Sequence, residues 1–223
     1  MSEIRAITFD CYGTLVDWES GIRAWAQKLI DRKGIADKID AADFLRRWEE
    51  HQFALLAPYR GYRDLAARAV ERVLRDLKVP VEPDDGPSLA DQIQTWRPFP
   101  DTPEALRRLG QKYRLGVISN MDNVVLFETI ARLGAPIHFR VSAEDAKAYK
   151  PDPKPFELML ARTGLPANEV LHAAFGWKYD LGPARALGMQ TAFVDRGGGK
   201  PVDVHADFEV PSLAALADRL LAD

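Results

Sequence analysis

Apolar positions along this chain follow two different rhythms. Ile4, Ala6, Ile7 and Phe9 form a run too short for a helix and bulky enough for a buried strand. It stops at Asp10, and Gly13-Thr14 then marks a tight turn. From Trp18 to Lys28 and from Ala41 to Leu77 the apolar spacing becomes helical. Asp43 is expected to cap a helix through Phe44, Leu45, Trp48, Phe53 and Leu55, which Pro58 and Gly61 end. Leu65, Ala69, Val70, Val73 and Leu74 predict a second helix, and the Pro-, Asp- and Gly-rich stretch from Val79 to Pro87 a loop.

No strand pattern occurs between Trp18 and Trp96, so residues 17–96 read as a helical cap inserted after the first strand. From Pro98 onward strand and helix alternate. Helices are expected from Thr102-Pro103-Glu104 to Gly110, from Val124 to Leu133, from Pro155 to Arg162 and from Leu181 to Leu187, with Ser212 capping a last one. Strands are expected at Leu115–Ile118, Phe139–Val141, Val170–Ala174, Thr191–Val194 and Phe208–Val210, and a loop at Gly197-Gly198-Gly199. Residues 1–16 and 97–223 therefore predict an α/β core, a parallel sheet with helices on both faces.

Composition narrows the function classes. The chain is 47% hydrophobic and 28% charged, with a net charge of −3 and no dense Lys/Arg block, which argues against nucleic-acid binding. With no charged-then-apolar leader and no long apolar run, no membrane partner is expected and a cytoplasmic location is the simplest inference. Cys11 is the only cysteine, so neither an internal disulfide nor a zinc-ligand spacing is available. It is expected to pack into the core behind the loop, with Cys11 and Tyr12 forming one wall of a substrate pocket.

Ligands in open parallel sheets bind beyond the carboxyl ends of the strands, where Asp10 falls. A carboxylate there that accepts N–H groups from the following turn stays ionised and can act as a nucleophile; capping the turn is the alternative role. Ser119-Asn120, Lys150 and Asp180 fall at or after strand ends on the same side. Alone, Lys150 would read as a solvated lysine and Asp180 as a helix cap. Together the four suggest one pocket.

Asp10-Cys-Tyr-Gly-Thr14-Leu, Ser119-Asn120, Lys150-Pro151 and Asp180 resemble the four signature motifs of the haloacid dehalogenase superfamily. The resemblance spans nearly the whole chain and implies a Rossmann-like core with an inserted cap. Phosphatases of the superfamily carry an Asp two residues after the nucleophile as general acid, where this chain has Tyr12. The Asp-x-Tyr-Gly-Thr form is similar to that of the L-2-haloacid dehalogenases, which use no metal or organic cofactor. Their resemblance implies that Asp10 attacks the halogen-bearing carbon of a small anionic 2-halo acid and forms an ester that water hydrolyses. Lys150 and Asp180 would place charge and water, and Thr14 and Ser119 would hydrogen-bond Asp10 or the substrate carboxylate. Arg46, sixteen residues before Tyr62, would cradle the halide with Asn120 and Tyr179; neighbouring Arg47 competes for that assignment. A homodimer is common in the resembled family.

The fourth motif departs from that pattern. Ala173-Ala174-Phe175-Gly176-Trp177-Lys178-Tyr179-Asp180 lacks the Ser and Asn that would orient the hydrolytic water and is one residue longer. Phe156 stands where the family has a Tyr. Phe175 and Trp177 are expected either to shape the pocket or to pack beneath the sheet end. Two other functions stay open at this point: a Mg²⁺-dependent phosphatase of the same superfamily, and a non-enzymatic carboxylate-binding protein.

Overall fold

The computed structural model describes residues 2–197 and 205–222; Gly198 and Gly199 of the expected glycine loop lie outside them. The chain forms two compact units, Met1–Asp17 with Arg97–Asp223, and Trp18–Trp96.

The first unit is built on six strands. β1 (Ala6–Asp10) leads out of it; after the four helices of the second unit come α5 (Thr102–Leu109), β2 (Arg114–Ser119), α6 (Asn123–Ala131) and β3 (Phe139–Ser142). Then follow α7 (Ala143–Ala146), α8 (Lys154–Thr163), β4 (Val170–Ala174), a π-helical turn (Trp177–Leu181) and α9 (Gly182–Ala186). β5 (Gln190–Val194), β6 (Phe208–Val210) and α10 (Leu213–Leu221) complete it. All neighbouring strands pair in parallel, in the order β3-β2-β1-β4-β5-β6. β1, β2, β4 and β5 are apolar on both faces because helices cover them. Phe156 and Met159 of α8 pack with Ala6, Ile118, Val141, Val170 and Ala184 in one buried cluster. The strand order reverses beside β1, so the carboxyl ends of β1 and β4 lie at the topological switch point, where open α/β sheets bind ligands.

The second unit contains α1 (Trp18–Lys33), α2 (Ala41–Ala54), α3 (Tyr62–Asp76) and α4 (Asp85–Gln92). Its core gathers Ile22, Leu29, Phe44, Trp48, Leu65, Val70 and Leu89. Trp25 meets Phe44 edge-on at 5.8 Å. Asp40, not Asp43, caps α2: its extended backbone lets the carboxylate accept the N–H of Asp43 at 2.8 Å. Asp43 is already inside the first turn.

α4 occupies part of the stretch expected to be a loop. Its start is fixed by tertiary contacts that Pro/Gly composition does not encode. Asp85 is fully buried; it accepts the N–H of Glu82 at 2.7 Å and meets Lys33 Nζ at 2.8 Å and Arg32 Nη2 at 2.5 Å. Lys33 is itself nearly buried, so removing the carboxylate would strand its charge. Asp85→Ala is expected to lower the stability of this unit by about 3 kcal/mol, read as an earlier urea transition for its tryptophan fluorescence.

Candidate active site

Parallel pairing brings the four motif groups together. Asp10 ends β1 opposite Ile118 of β2, which places Ser119 immediately beyond that pair. Lys150 arrives on the loop between α7 and α8, and Asp180 on the π-helical turn after β4. Lys150 Nζ donates to Asp10 Oδ1 at 2.7 Å, to Asp180 Oδ1 at 2.6 Å and to the Ile118 carbonyl at 3.2 Å. The Thr14 hydroxyl donates to the other Asp10 oxygen at 2.9 Å and accepts the Phe175 N–H at 3.1 Å. Asp10, Thr14, Ser119, Lys150 and Asp180 are all buried.

Burial shifts every charge in this cluster. It pushes the Asp10 carboxyl up and the Asp180 charge adds to that; Lys150 and the Thr14 hydroxyl oppose without cancelling it. Burial also works against ionised Asp180, but the Lys150 charge and the His172 hydrogen bond outweigh it and hold this carboxyl below its usual range. Burial alone would pull the Lys150 ammonium down; the charges of Asp10 and Asp180 hold it above the ordinary lysine range. The two carboxyls are thus shifted in opposite directions, Asp10 up and Asp180 down.

The turn after β1 depends on Gly13, which adopts φ +101° and passes under the Phe175 ring. A Cβ at this position would lie 2.3 Å from Phe175 Cε1, so glycine is required by both conformation and space. Phe175 thus packs over the loop that follows Asp10, while Trp177 stacks on Phe193 at 5.3 Å beside Ala174 and Leu181. Of the two roles expected for Trp177, the structure favours packing under the sheet end. The fourth motif forms a π-helical turn, in which Leu181 N–H reaches back five residues to the Gly176 carbonyl at 3.2 Å. Asp180 lies within this turn and does not cap α9. Tyr179 is half-buried and Lys178 exposed on the same turn.

Several expected roles change. Asn120, expected at the halide, accepts the Lys150 N–H at 2.7 Å and donates to the Lys150 carbonyl at 3.1 Å, so its amide anchors the main chain that carries the lysine. Cys11 has no accessible surface and burial pushes its thiol well up, so its side chain is a core residue and offers nothing to a substrate. The Tyr12 hydroxyl lies 2.7 Å from Thr129 Oγ1, and burial pushes its pKa up. Arg46 projects from α2 with its side chain 57% exposed, paired with Asp43 and, at 2.6 Å, with Glu50. Arg47 shares Asp43 at 2.9 Å.

Three contributors escape the motif search. His172, one of four histidines, is fully buried in β4; its Nε2 lies 3.2 Å from Asp180 Oδ1 and its Nδ1 2.9 Å from Thr8 Oγ1. An imidazole in the run Val-Leu-His-Ala-Ala was the available signal, since nothing else in that strand is polar. Thr8 carries the same signal in β1, paired in register with His172. Arg196 gave none: it follows β5, donates Nε and Nη2 to the Thr14 carbonyl at 3.1 and 2.9 Å, and pairs with Asp101 at 2.9 Å.

Among the described residues no group of three His, Cys, Asp or Glu side chains converges as a metal site, and no helix is long and apolar enough to cross a membrane.

Comparison with known proteins agrees with this geometry. A family model for haloacid dehalogenase-like hydrolases matches residues 4–174. Haloacetate dehalogenase H-2 of Moraxella sp. (strain B) is 27% identical, the match covering 97% of each chain. An (S)-2-haloacid dehalogenase of Pseudomonas putida is 26% identical over 99% of this chain and 98% of its own. The crystal structure of a defluorinating L-2-haloacid dehalogenase, 26% identical, superposes with a TM-score of 0.82 over 97% of this chain and 95% of the other. With the parallel α/β sheet, the buried carboxylate–lysine–carboxylate cluster and a family match over most of its length, this chain belongs to the haloacid dehalogenase-like hydrolases.

Proposed function

We propose that this hydrolase removes halide from small L-2-haloalkanoic acids and leaves 2-hydroxy acids. One observation carries the reading: a buried lysine bridges Asp10 and Asp180 through one oxygen of each, while Thr14 orients the second Asp10 oxygen. This combination holds a nucleophilic carboxylate with defined direction in a dry setting.

Asp10 attacks C2 of the acid from the side opposite the halogen. The C–O bond forms as the carbon–halogen bond breaks, halide leaves with the electron pair, and C2 inverts. Water then adds to the carboxyl carbon of Asp10. The acyl C–O bond breaks, the hydroxy acid departs with an oxygen that came from Asp10, and the net reaction releases one proton and one halide. Halide needs no proton to leave, which suits Tyr12, whose hydroxyl is bonded to Thr129 and whose pKa is raised. A phosphatase would need an acid at that position. The family resemblance assigns Arg46 to the departing halide, a role for which its guanidinium would have to leave Asp43 and Glu50; Lys150 offsets the negative charge of the site.

Wild-type protein is expected to release halide from 2-chloropropionate of one hand or from chloroacetate, and Asp10→Asn to release none while keeping its circular dichroism. In a single turnover in H₂¹⁸O with enzyme in excess, the first hydroxy acid is expected to lack ¹⁸O. Label in that first product would mean that water displaces the halide directly. Arg46→Ala is expected to slow halide release by about 10²-fold; an equal loss in Arg47→Ala and none in Arg46→Ala would move the role to the neighbour.

The pH dependence follows from Asp10. Only the ionised form attacks, and its pKa is raised, so the halide burst falls with decreasing pH from above the ordinary aspartate value of 3.8. Asp180→Asn removes the neighbouring charge that adds to the effect of burial in raising it. The acid limb of the burst is then expected to move to lower pH, measured by rapid-quench halide release.

A further inference from the structure

The second half of this reaction needs water aimed at the Asp10 ester, and the four residues from Ala173 to Gly176 do not aim it. Ala173, Ala174, Phe175 and Gly176 bring no side-chain hydrogen-bonding group. Asp180 is a carboxylate beside them, its Oδ2 lying near Gly176. Its Oδ1 carries both described donors, Lys150 and His172. Its Oδ2 faces Gly176, where an added Cβ would stand 3.2 Å away, so the missing side chain leaves room beside that oxygen.

A carboxylate held through one oxygen by a single ammonium can swing about that contact. A second donor from a rigid direction fixes its plane. His172 is such a donor. It is fully buried, paired in strand register with Thr8, and packed edge-on against Phe156 at 5.2 Å and 83°. Asp180 can only accept, so Nε2 must carry the hydrogen of the 3.2 Å contact. Thr8 Oγ1, 2.9 Å from Nδ1, holds the opposite side of the ring. A base oriented by a third, buried group is the general logic of catalytic triads.

Resting on the aspartyl-ester reading, we propose that His172 is a positioning residue for ester hydrolysis, holding Asp180 so that its free oxygen receives a proton from the attacking water. The water oxygen bonds to the Asp10 carboxyl carbon as its proton passes to Asp180 Oδ2. The ester C–O bond then breaks, the departing hydroxy-acid oxygen takes that proton, and the second water proton leaves the regenerated Asp10 for solvent. His172 gains and loses nothing. Halide release precedes this step and does not use it.

His172→Leu is therefore expected to release one halide per site in a rapid burst and then turn over roughly 10²-fold more slowly, with the substrate-derived mass retained on Asp10 after quenching. His172→Gln, whose amide can place an N–H near the imidazole Nε2, is expected to restore much of the steady-state rate. A folded His172→Leu that hydrolyses its ester at the wild-type rate, or a glutamine variant no better than leucine, would overturn the assignment. Should the leucine variant not fold, Thr8→Val tests the same chain from its far end, and unchanged ester hydrolysis there counts against it. ¹⁵N NMR of substrate-free enzyme reads the imidazole independently of any turnover: Nε2 is expected to be protonated, and a bare Nε2 overturns the proposal. If wild-type enzyme forms no ester from any 2-halo acid, the catalytic reading fails instead, and the NMR result still decides the orientation of the ring.

Discussion

An ammonium clamped between two buried carboxylates governs the design of this molecule. Lys150 cannot lose either partner without leaving a charge in a medium that cannot solvate it, and neither carboxylate is compensated without Lys150. Such a cluster at best breaks even as a source of stability. Its value is directional: both contacts fall on Oδ1 atoms, so each carboxylate keeps its second oxygen for another task. For Asp10 that oxygen is addressed by Thr14.

Much of the first unit serves to hold this cluster still. The Lys150 main chain is gripped on both sides by Asn120. The Thr14 carbonyl is clamped by Arg196, whose guanidinium also pairs with Asp101 and lies 4.2 Å over the Phe99 ring. Asp101 in turn accepts the N–H of Leu213 at 2.9 Å, at the start of α10. The loop that presents Asp10 is thus tied to elements from the far end of the chain. Backbone preorganisation of this kind fixes donors before charge develops, which is where electrostatic catalysis obtains most of its advantage.

The fourth motif is carried on a single wide turn rather than on a regular helix. Here that turn keeps Asp180 aimed at Lys150 and lets α9 begin normally two residues later. Around it Trp177 stacks on Phe193 and Phe175 lies over Gly13. Large aromatics are accommodated as packing, while Gly176 leaves space beside the carboxylate.

Local pattern alone determined the strands, the helices from Thr102 onward other than the short α7, and the four polar positions beyond strand ends, because period-2 and period-3.6 burial and Gly/Pro punctuation are properties of neighbouring residues. Asp10 was legible for the same reason, since it ends an apolar run; Thr14, Lys150 and Asp180 were legible as members of the four-motif pattern and not from their own neighbours. What Asn120, His172 and Arg196 do was not, since each acts on a partner between 8 and 182 residues away in sequence. The start of α4 at Asp85 was hidden likewise, being set by Lys33 and Arg32 from another helix. A side chain's type announces which bonds it can make; only the packed sheet decides which atom it meets, because burial removes water as the alternative partner.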